Sequence, residues 1–399
     1  MTLFLLTFFL LYGGMHLYAF RKAKAAFAFG IYTGISIAFF MLIMFFAPFI
    51  IRLFEKAGFE VFARLMSYIG YTWLGILFLF VSASAVVDVY RLVIFSGELI
   101  LKRELAYLKV PAGYVFFIPL ALSIGIVLYG YFEARDIRTE HITVKSPKIP
   151  AAIKRLRIVQ ISDGHLGLII REERLARILQ EVKKADPDIL VSTGDLVDGQ
   201  IDNLSGLADI LKGIRPQYGM FAITGNHEFY AGLDQALNFT EKAGFKILRN
   251  KGLAIDGLIT IAGVDDPQIK SSGLSRQASE KEVLSMFPRD TFTLLLKHRP
   301  LVDPAAAGLF DLQLSGHVHK GQIFPFSIIT WLYYPTQAGL AELPGNALLY
   351  VSRGSGTWGP PIRFLSPPEV TVIDIVHADH NESEKAGVRS EIERPLEGR

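Results

Sequence analysis

Side chains that can bind a metal ion recur with fixed spacings between residues 163 and 319. Asp163 and His165 are two positions apart, and His317 and His319 repeat that spacing. Because alternate side chains of extended backbone point to the same side, each pair can converge on one ion. Carboxylate and imidazole ligands suit a borderline metal such as Zn, Mn or Fe.

Two further motifs supply oxygen ligands. Asp195 lies in Thr-Gly-Asp-Leu-Val-Asp-Gly, just past an apolar run, where ligands bind in open α/β sheets. Asp198, in the same motif, is expected to cap a turn. Further along, Gly225 allows a sharp turn close to a ligand, and Asn226 offers a neutral oxygen. Asp195 and Asn226 are therefore additional candidate metal ligands.

Three further residues complete this set. His227 follows Asn226 directly and can approach a bound substrate as an acid or as an electrostatic clamp. Glu228 is expected either to orient His227 or to be solvated. His298 ends another apolar run, in Lys-His-Arg-Pro. All the motifs together offer more ligands than one metal needs, and they fit two ions that share a carboxylate, activate water and stabilise an in-line phosphoryl displacement.

These motifs follow short β-branched runs, which are the expected strands. The runs are 156–161, 189–192, 220–224, 258–263, 291–296, 312–315, 347–352 and 370–376, and helical patterns cover 172–184, 204–213, 233–243 and 279–286. Alternation of this kind predicts an α/β domain whose sheets are covered by helices. The candidate ligands therefore lie at strand ends within one domain, which favours a common site.

The first 132 residues have a different character. Four long tracts without a charged residue occupy 3–20, 25–51, 65–87 and 110–132. A membrane span needs about 20 apolar residues, so these tracts predict an α-helical transmembrane domain with four spans in the cell membrane. Basic residues in the first and third loops favour an extracytoplasmic α/β domain, although those that follow the fourth tract favour the opposite orientation.

Composition sets the remaining boundaries and excludes several classes of site. Residues 133–152 are polar and predict a linker, and residues 153–376 form the expected α/β domain. The charged tail 377–399 is expected to be disordered. The absence of cysteine excludes disulfides, cysteine zinc sites and a thiol nucleophile. A net charge of +3 gives no reason to expect nucleic-acid binding.

The order of the motifs resembles a known family. Asp-x-His, Gly-Asp-x-x-Asp, Gly-Asn-His-Glu, a lone histidine and Gly-His-x-His together resemble the calcineurin-like metallophosphoesterase superfamily over about residues 153–376. Residues 310–322, 349–356 and 366–369 resemble its bacterial membrane-associated branch. The resemblance implies a four-layer αββα sandwich and a metal-dependent phosphoric ester hydrolase. It also implies two divalent metal ions as cofactors, drawn from Mn, Fe, Zn or Co.

The resemblance implies a role for each matching position. The first metal would be held by Asp163, His165, Asp195 and His319. The second would be held by Asp195, Asn226, His298 and His317, so that Asp195 bridges the two. A hydroxide generated between the metals would attack phosphorus, while His227 protonates the leaving group or steadies the phosphate.

Three more residues are candidate substrate contacts. Lys320 stands where the branch usually has glycine, and Glu228 neighbours the catalytic histidine. Gly199 stands where many relatives have an arginine that clamps phosphate. Arg353 is the expected substitute for that guanidinium.

Residues 324–335, directly after the last metal motif, form an apolar run rich in aromatic residues. The run is either core or a segment at the mouth of the site that enters the bilayer interface, where Trp and Tyr are favoured. With the four spans, it makes a phosphodiester or pyrophosphate on a membrane lipid or lipid-linked substrate the leading expectation. Hydrolysis of a soluble or cell-wall phosphodiester is the alternative, and an inactive binding module of the same fold is the third hypothesis.

Overall fold

The computed structural model describes residues 2–199, 204–272 and 278–378. The chain forms two compact units. The first runs to Phe132 and includes Gly359–Ile362, and the second begins at Glu133 and includes the remaining described residues. The tail expected to be disordered lies outside the described residues from position 379 onward.

The first unit is helical. Its helices are α1 (Thr2–Phe27), α2 (Ile31–Phe45), α3 (Ala47–Lys56), α4 (Glu60–Leu101) and α5 (Ala112–Glu133). By length and apolar composition, α4 and the segment that contains α5 could each cross a membrane. Polar contacts join α1 to α4, since Trp73 Nε1 donates to His16 Nε2 over 3.0 Å and Lys22 pairs with Asp88 at 2.5 Å.

The second expected span, residues 25–51, is not one straight helix. Residues 25–27 belong to the end of α1, and the rest falls on α2 and α3, which are bent by 55° at the break between them. Pro48 lies in the first turn of α3, and it lacks the amide hydrogen that a continuous helix would need there. The described residues provide two helices that could span a membrane, or three if α2 and α3 count as one, where the sequence predicted four.

The second unit contains two six-stranded sheets. Its strands are β1 (Arg138–Ser146), β2 (Leu156–Ile161), β3 (Ile189–Ser192), β4 (Met220–Ala222), β5 (Lys246–Ile247), β6 (Lys251–Ile255), β7 (Ile259–Gly263), β8 (Phe292–Leu296), β9 (Leu312–Ser315), β10 (Gly339–Glu342), β11 (Leu348–Val351) and β12 (Glu369–His377). Its helices are α6 (Glu172–Ala185), α7 (Ser205–Lys212), α8 (Asn226–Ala231), α9 (Leu233–Lys242), α10 (Glu280–Leu284) and α11 (Phe326–Tyr333). The sheet orders are β1-β12-β2-β3-β4-β5 and β10-β11-β9-β8-β7-β6.

Hydrophobic side chains hold these elements in layers. Ile158, Val191 and Leu294 belong to a buried cluster that joins the two sheets. Leu179 of α6 and Leu211 of α7 pack on the other face of the first sheet, and a separate cluster joins α10 to the second sheet. Helices on the outer faces of two stacked sheets confirm the predicted four-layer αββα sandwich.

Residues expected to form a linker instead add a strand. β1 runs parallel to β12 at the edge of the first sheet, with Arg138 opposite Glu369. Ile142 and Val144 are buried and alternate with more exposed residues, which is the period-two pattern of a half-buried strand. The prediction of a linker over 133–152 was wrong because these two apolar positions are isolated among polar ones.

The apolar run after the last metal motif is not core. It forms α11, in which no residue is buried. Leu332 is 69% exposed and Trp331 is 57% exposed. Of the two expectations for this segment, the core assignment was therefore wrong, because hydrophobicity alone does not distinguish a buried segment from an exposed apolar one.

The parallel strands bring the metal-binding motifs to one edge of the sandwich. β2, β3 and β4 are parallel neighbours in the first sheet, and β8 and β9 are parallel neighbours in the second. Each of these five strands is followed by one of the motifs with candidate ligands. Since the carboxyl ends of parallel strands share an edge, loops distant in sequence can meet there.

Candidate metal centre

The first group of candidate ligands contains Asp163 and His165 after β2, and His319 after β9. Their donor atoms all lie within 4.8 Å of one another. Nε2 of His319 is 3.3 Å from Oδ1 of Asp163 and 3.1 Å from Nε2 of His165. The structure therefore brings together three residues from two different sheets, all of them predicted ligands of the first metal.

The second group contains Asp195 after β3, His298 after β8 and His317 after β9. Nε2 of His298 lies 3.1 Å from Oδ2 of Asp195 and 3.2 Å from Nδ1 of His317. Nδ1 of His298 is 2.9 Å from the carbonyl oxygen of Thr193, to which it donates. That bond leaves Nε2 of His298 as the nitrogen available to a metal ion.

Asp195 lies between the two groups. Its Oδ2 is 3.1 Å from Nε2 of His298 and 4.0 Å from Nε2 of His165, while its Oδ1 accepts the backbone amide of His227. One carboxylate thus adjoins members of both groups, which is the position of a ligand that bridges two cations. Asn226 begins α8 beside it, and Oδ1 of Asn226 is buried without a hydrogen-bond partner among the described residues.

The backbone turns sharply at the ligand positions. Asp163, His165, Asp195, His317 and His319 all have positive φ angles, between 46° and 73°. Residues other than glycine rarely adopt this region, at a cost of about 1–3 kcal/mol each, and such residues cluster at functional sites. The surrounding fold therefore holds these five side chains in place against a local conformational cost.

Two glycines allow the ligand carboxylates to approach the backbone. A Cβ on Gly225 would lie 2.2 Å from Oδ1 of Asp195. A Cβ on Gly316 would lie 2.2 Å from Oδ2 of Asp163. Both contacts are far inside van der Waals distance, so any side chain at either glycine would displace a candidate ligand.

Glu228 holds the loop after β3 in place. Its buried carboxylate accepts the amides of Gly225 at 2.7 Å, Leu196 at 2.8 Å and Asp195 at 3.0 Å. As the third residue of α8, it also forms a capping box with Gly225. The predictions that Glu228 orients His227 or is solvated were wrong, because the loop after β3 needs a buried acceptor for its amides, and its contact with substrate stays a prediction.

Asp198 orients His227. Nδ1 of His227 is 2.8 Å from Oδ1 of Asp198, which also accepts the amide of Gly199. Burial lowers the pKa of His227, but Asp195 and Asp198 outweigh burial and raise this pKa to about 9. The sequence predicted only a turn-capping role for Asp198. Apart from the Gly-Asp-x-x-Asp spacing, no sequence pattern indicated that Asp198 also orients His227.

The buried charges favour cations at this site. Burial disfavours the charged form of Asp163, yet His319 and His298 hold the pKa of this carboxyl well below its ordinary value. Burial likewise opposes protonation of His298, yet Asp195 raises the pKa of that imidazole to about 10. Buried carboxylates that stay ionised need positive charge nearby, which metal ions or protonated imidazoles supply.

The donor set fits two divalent metal ions. It combines carboxylate and amide oxygens with imidazole nitrogens, a mixture that Mn, Fe, Zn and Co accept. Ring nitrogens face each other at 3.1 Å between His165 and His319, and at 3.2 Å between His298 and His317. Together with the unpartnered Oδ1 of Asn226, these lone pairs would be satisfied by one cation in each group.

The arginine expected to clamp phosphate is engaged elsewhere. Nη2 of Arg353 lies 2.5 Å from Oε1 of Glu140 and 2.8 Å from Oε2 of Glu369. Because two carboxylates neutralise Arg353, the prediction that it replaces the guanidinium missing at Gly199 was wrong. Lys320 is exposed and lines a cavity of about 380 Å³ together with Arg353, and its contact with substrate stays a prediction.

Another arginine, which the sequence analysis missed, lies behind the first group. Arg363 is fully buried, and its Nη2 is 3.0 Å from Nδ1 of His319. It also donates to the backbone carbonyls of Arg353 at 2.6 Å and Gly356 at 2.5 Å. Arg363 therefore fixes the loop that supports His319, and no spacing pattern in the sequence marks it.

Aromatic side chains border the centre. The rings of Tyr230 and Trp358 lie 5.3 Å and 6.0 Å from the ring of His227. The ring of Tyr334, which directly follows α11, lies 5.5 Å from that of His317. The sequence analysis did not single out Tyr230 or Trp358, because isolated aromatic residues carry no distinctive motif.

Comparison with known proteins agrees with this geometry. The family model described as calcineurin-like phosphoesterase matches residues 156–321, which contain all seven candidate ligands. An uncharacterised metallophosphoesterase of Aquifex aeolicus is 41% identical over 249 residues, covering 62% of this chain and 95% of the relative.

Two other relatives extend over more of the chain. An uncharacterised metallophosphoesterase of Campylobacter jejuni is 31% identical over 339 residues, covering 82% of this chain and 88% of the relative. A Danio rerio protein described as a transmembrane protein with metallophosphoesterase domain is 30% identical over 296 residues, covering 71% of this chain and 68% of the relative. Similarity over 339 residues reaches beyond the α/β unit into the helical unit.

Proposed function

Because the chain belongs to the metallophosphoesterase family, we propose that it hydrolyses a phosphodiester or pyrophosphate of a membrane lipid or lipid-linked substrate. The two ligand groups would hold two divalent metal ions, which when bound neutralise phosphate charge and acidify water. The observation that carries the choice of a lipid is the exposed apolar helix α11 at the edge of the metal centre.

His227 is placed to donate a proton to the leaving group. Asp198 engages Nδ1 of His227, which leaves Nε2 as the nitrogen that can face a substrate oxygen. The carboxylate of Asp198 favours the protonated imidazole of His227, because it accepts the proton on Nδ1. A general acid is effective when it carries its proton at the working pH, so this residue suits the expulsion of an alkoxide or phosphate leaving group.

α11 supports a substrate presented by a membrane. Ile328, Trp331 and Leu332 are all more than half exposed. Tyr334, the residue after α11, packs against the candidate ligand His317, so the apolar helix adjoins the metal centre. An exposed apolar helix that carries Trp and Tyr suits the interfacial region of a bilayer.

The helical unit supports the same proposal. α4 and the segment containing α5 are long and apolar enough to anchor the chain in a membrane, and anchoring raises the effective concentration of a lipid substrate. From the basic residues of the first and third loops, we further propose that the catalytic unit faces the extracytoplasmic side.

Leu332→Asp in the full-length protein tests the lipid substrate. Burying a leucine side chain is worth about 1.5–3 kcal/mol, so this change should lower kcat/KM for a fluorescent lipid phosphodiester in vesicles by about 10–100-fold. Hydrolysis of a soluble chromogenic phosphodiester should stay within about twofold, since the metal ligands are untouched. Met286→Asp is the matched control, because Met286 is also exposed, at 63%, and is not part of α11.

The outcomes separate the chemistry from the substrate. An equal loss on both substrates, or an equal loss in Met286→Asp, would contradict membrane presentation by α11. No turnover of either substrate by the wild-type protein with Mn, Fe, Zn or Co would contradict the hydrolase itself.

A further inference from the structure

Arg299 directly follows the candidate ligand His298 at the end of β8. Its guanidinium donates from Nε to Oδ2 of Asp266 at 2.7 Å, and from Nη2 to Oδ1 of Asp266 at 2.9 Å. Asp266 is buried, whereas the side chain of Arg299 is 25% exposed. A guanidinium has five N–H donors, so this one is anchored along one edge and keeps donors for another partner.

The guanidinium of Arg299 lies among side chains that border the metal centre. Its positive charge acts on the hydroxyl of Tyr334, whose ring is 5.5 Å from that of His317. Its positive charge also acts on Tyr230, whose ring is 5.3 Å from that of His227. Arg299 is therefore close to the second ligand group and to the proposed proton donor.

The other two arginines near the ligand loops are committed to structure. Arg363 is fully buried and donates to backbone carbonyls and His319. Arg353 is neutralised by two carboxylates. Of these three arginines, Arg299 has the most exposed side chain, and it alone directly follows a candidate ligand in the chain.

We propose that Arg299 binds the phosphoryl oxygens of the substrate, with Asp266 holding the guanidinium in position. It thereby supplies the phosphate clamp that Gly199 cannot provide. The donors of a guanidinium form a rigid fork that matches two oxygens of a phosphate group. The inference deepens the proposed phosphoester hydrolysis and rests on it for the identity of the ligand.

Binding of inorganic phosphate tests this role without turnover. Titration calorimetry on the full-length, Mn²⁺-loaded protein in detergent should give an affinity about 10-fold weaker for Arg299→Lys, which keeps the charge but loses the fork. Arg299→Gln removes the charge and should weaken binding by about 100-fold. Metal content should stay at that of the wild-type protein in both variants, because Arg299 is not a metal ligand.

Two further variants make the test specific. Asp266→Asn removes the charge that anchors Arg299 and should weaken phosphate binding by about threefold, even if the Arg299 variants do not fold. Arg249→Lys is the matched control. Arg249 pairs with Asp265 through the same two guanidinium atoms, at 2.9 and 3.0 Å, and is 30% exposed. The phosphate affinity of the Arg249→Lys protein should stay within about twofold of that of the wild type.

Each result decides between the two proposals. Phosphate affinity that is unchanged in both Arg299 variants and in Asp266→Asn, or no phosphate binding by the wild type, overturns the inference. Normal turnover combined with Arg299-independent phosphate binding leaves the proposed function standing and removes the clamp. Arg299-dependent phosphate binding without hydrolysis of any phosphoester supports the clamp and contradicts the proposed function.

Discussion

Replacement of Glu228 by alanine tests how the loop that carries the bridging carboxylate is held. The substitution leaves the amides of Gly225, Asp195 and Leu196 without the acceptor that each has at 3.0 Å or less. A buried amide left unpaired costs about 1–3 kcal/mol, so three cost about 3–9 kcal/mol. Water that enters the vacated space moves the expected loss to the low end, about 3 kcal/mol.

Glu282 provides a matched control for this prediction. It is also the third residue of a helix, α10, and accepts the amide of the N-cap residue Ser279 at 2.8 Å, but it is exposed. Its replacement by alanine should cost about 0.5–1 kcal/mol. In a domain of this size, 1 kcal/mol shifts Tm by about 2–4 °C. We therefore expect Glu228→Ala to lower Tm by about 6–12 °C and Glu282→Ala by about 1–4 °C.

The assay is thermal unfolding of the full-length protein in detergent after removal of metals with a chelator. Metal removal prevents a change in metal affinity from altering the apparent Tm. If Glu228→Ala melts no lower than Glu282→Ala and instead raises KM for a phosphoester, the carboxylate contacts substrate and the structural role argued for Glu228 is refuted.

Three further predictions concern charge, ligand geometry and orientation. Asp198→Asn should move the alkaline limb of the pH profile of kcat to lower pH by about one unit. The reason is that a partly exposed charge-assisted hydrogen bond, worth about 1.5 kcal/mol, is lost, which lowers the pKa of His227. An alkaline limb that does not move would contradict this role of Asp198. Gly316→Ala should displace Asp163, so that elemental analysis finds about one bound metal in place of two. A metal content equal to that of the wild type would count against the close approach of Gly316 and Asp163. Met286→Cys, in a chain without cysteine, should react with a membrane-impermeant maleimide in intact cells, whereas labelling only after lysis would place the catalytic unit inside.

The strands that carry the candidate ligands could be predicted from the sequence, because each is marked by a pattern of neighbouring residues. β2, β3 and β9 match the predicted runs, since short apolar stretches there end abruptly in glycine and polar residues. The two-residue spacing of Asp163 and His165 could be recognised in the same way. Contacts between separate loops could not be recognised, because they depend on how the two sheets are stacked. Asp198 and His227 are 29 residues apart, and no local pattern links them.

Two errors came from signals that do not distinguish between structures. β1 has only two buried apolar residues, Ile142 and Val144, and its partner strand lies at the far end of the domain sequence. α11 has the composition of a core helix, but no residue of it is buried. Strand pairing and helix exposure are both decided by tertiary contacts, which neither composition nor periodicity contains.

The most direct test of the central claim is the metal content of the full-length protein compared with that of Asp195→Asn. If Asp195 bridges two cations, the wild type should bind about two divalent metals per chain. The Asp195→Asn protein should bind fewer than one, because one substitution weakens both positions at once. A wild type with one metal or none, or an Asp195→Asn protein that retains the wild-type content, would contradict a dinuclear centre built around Asp195.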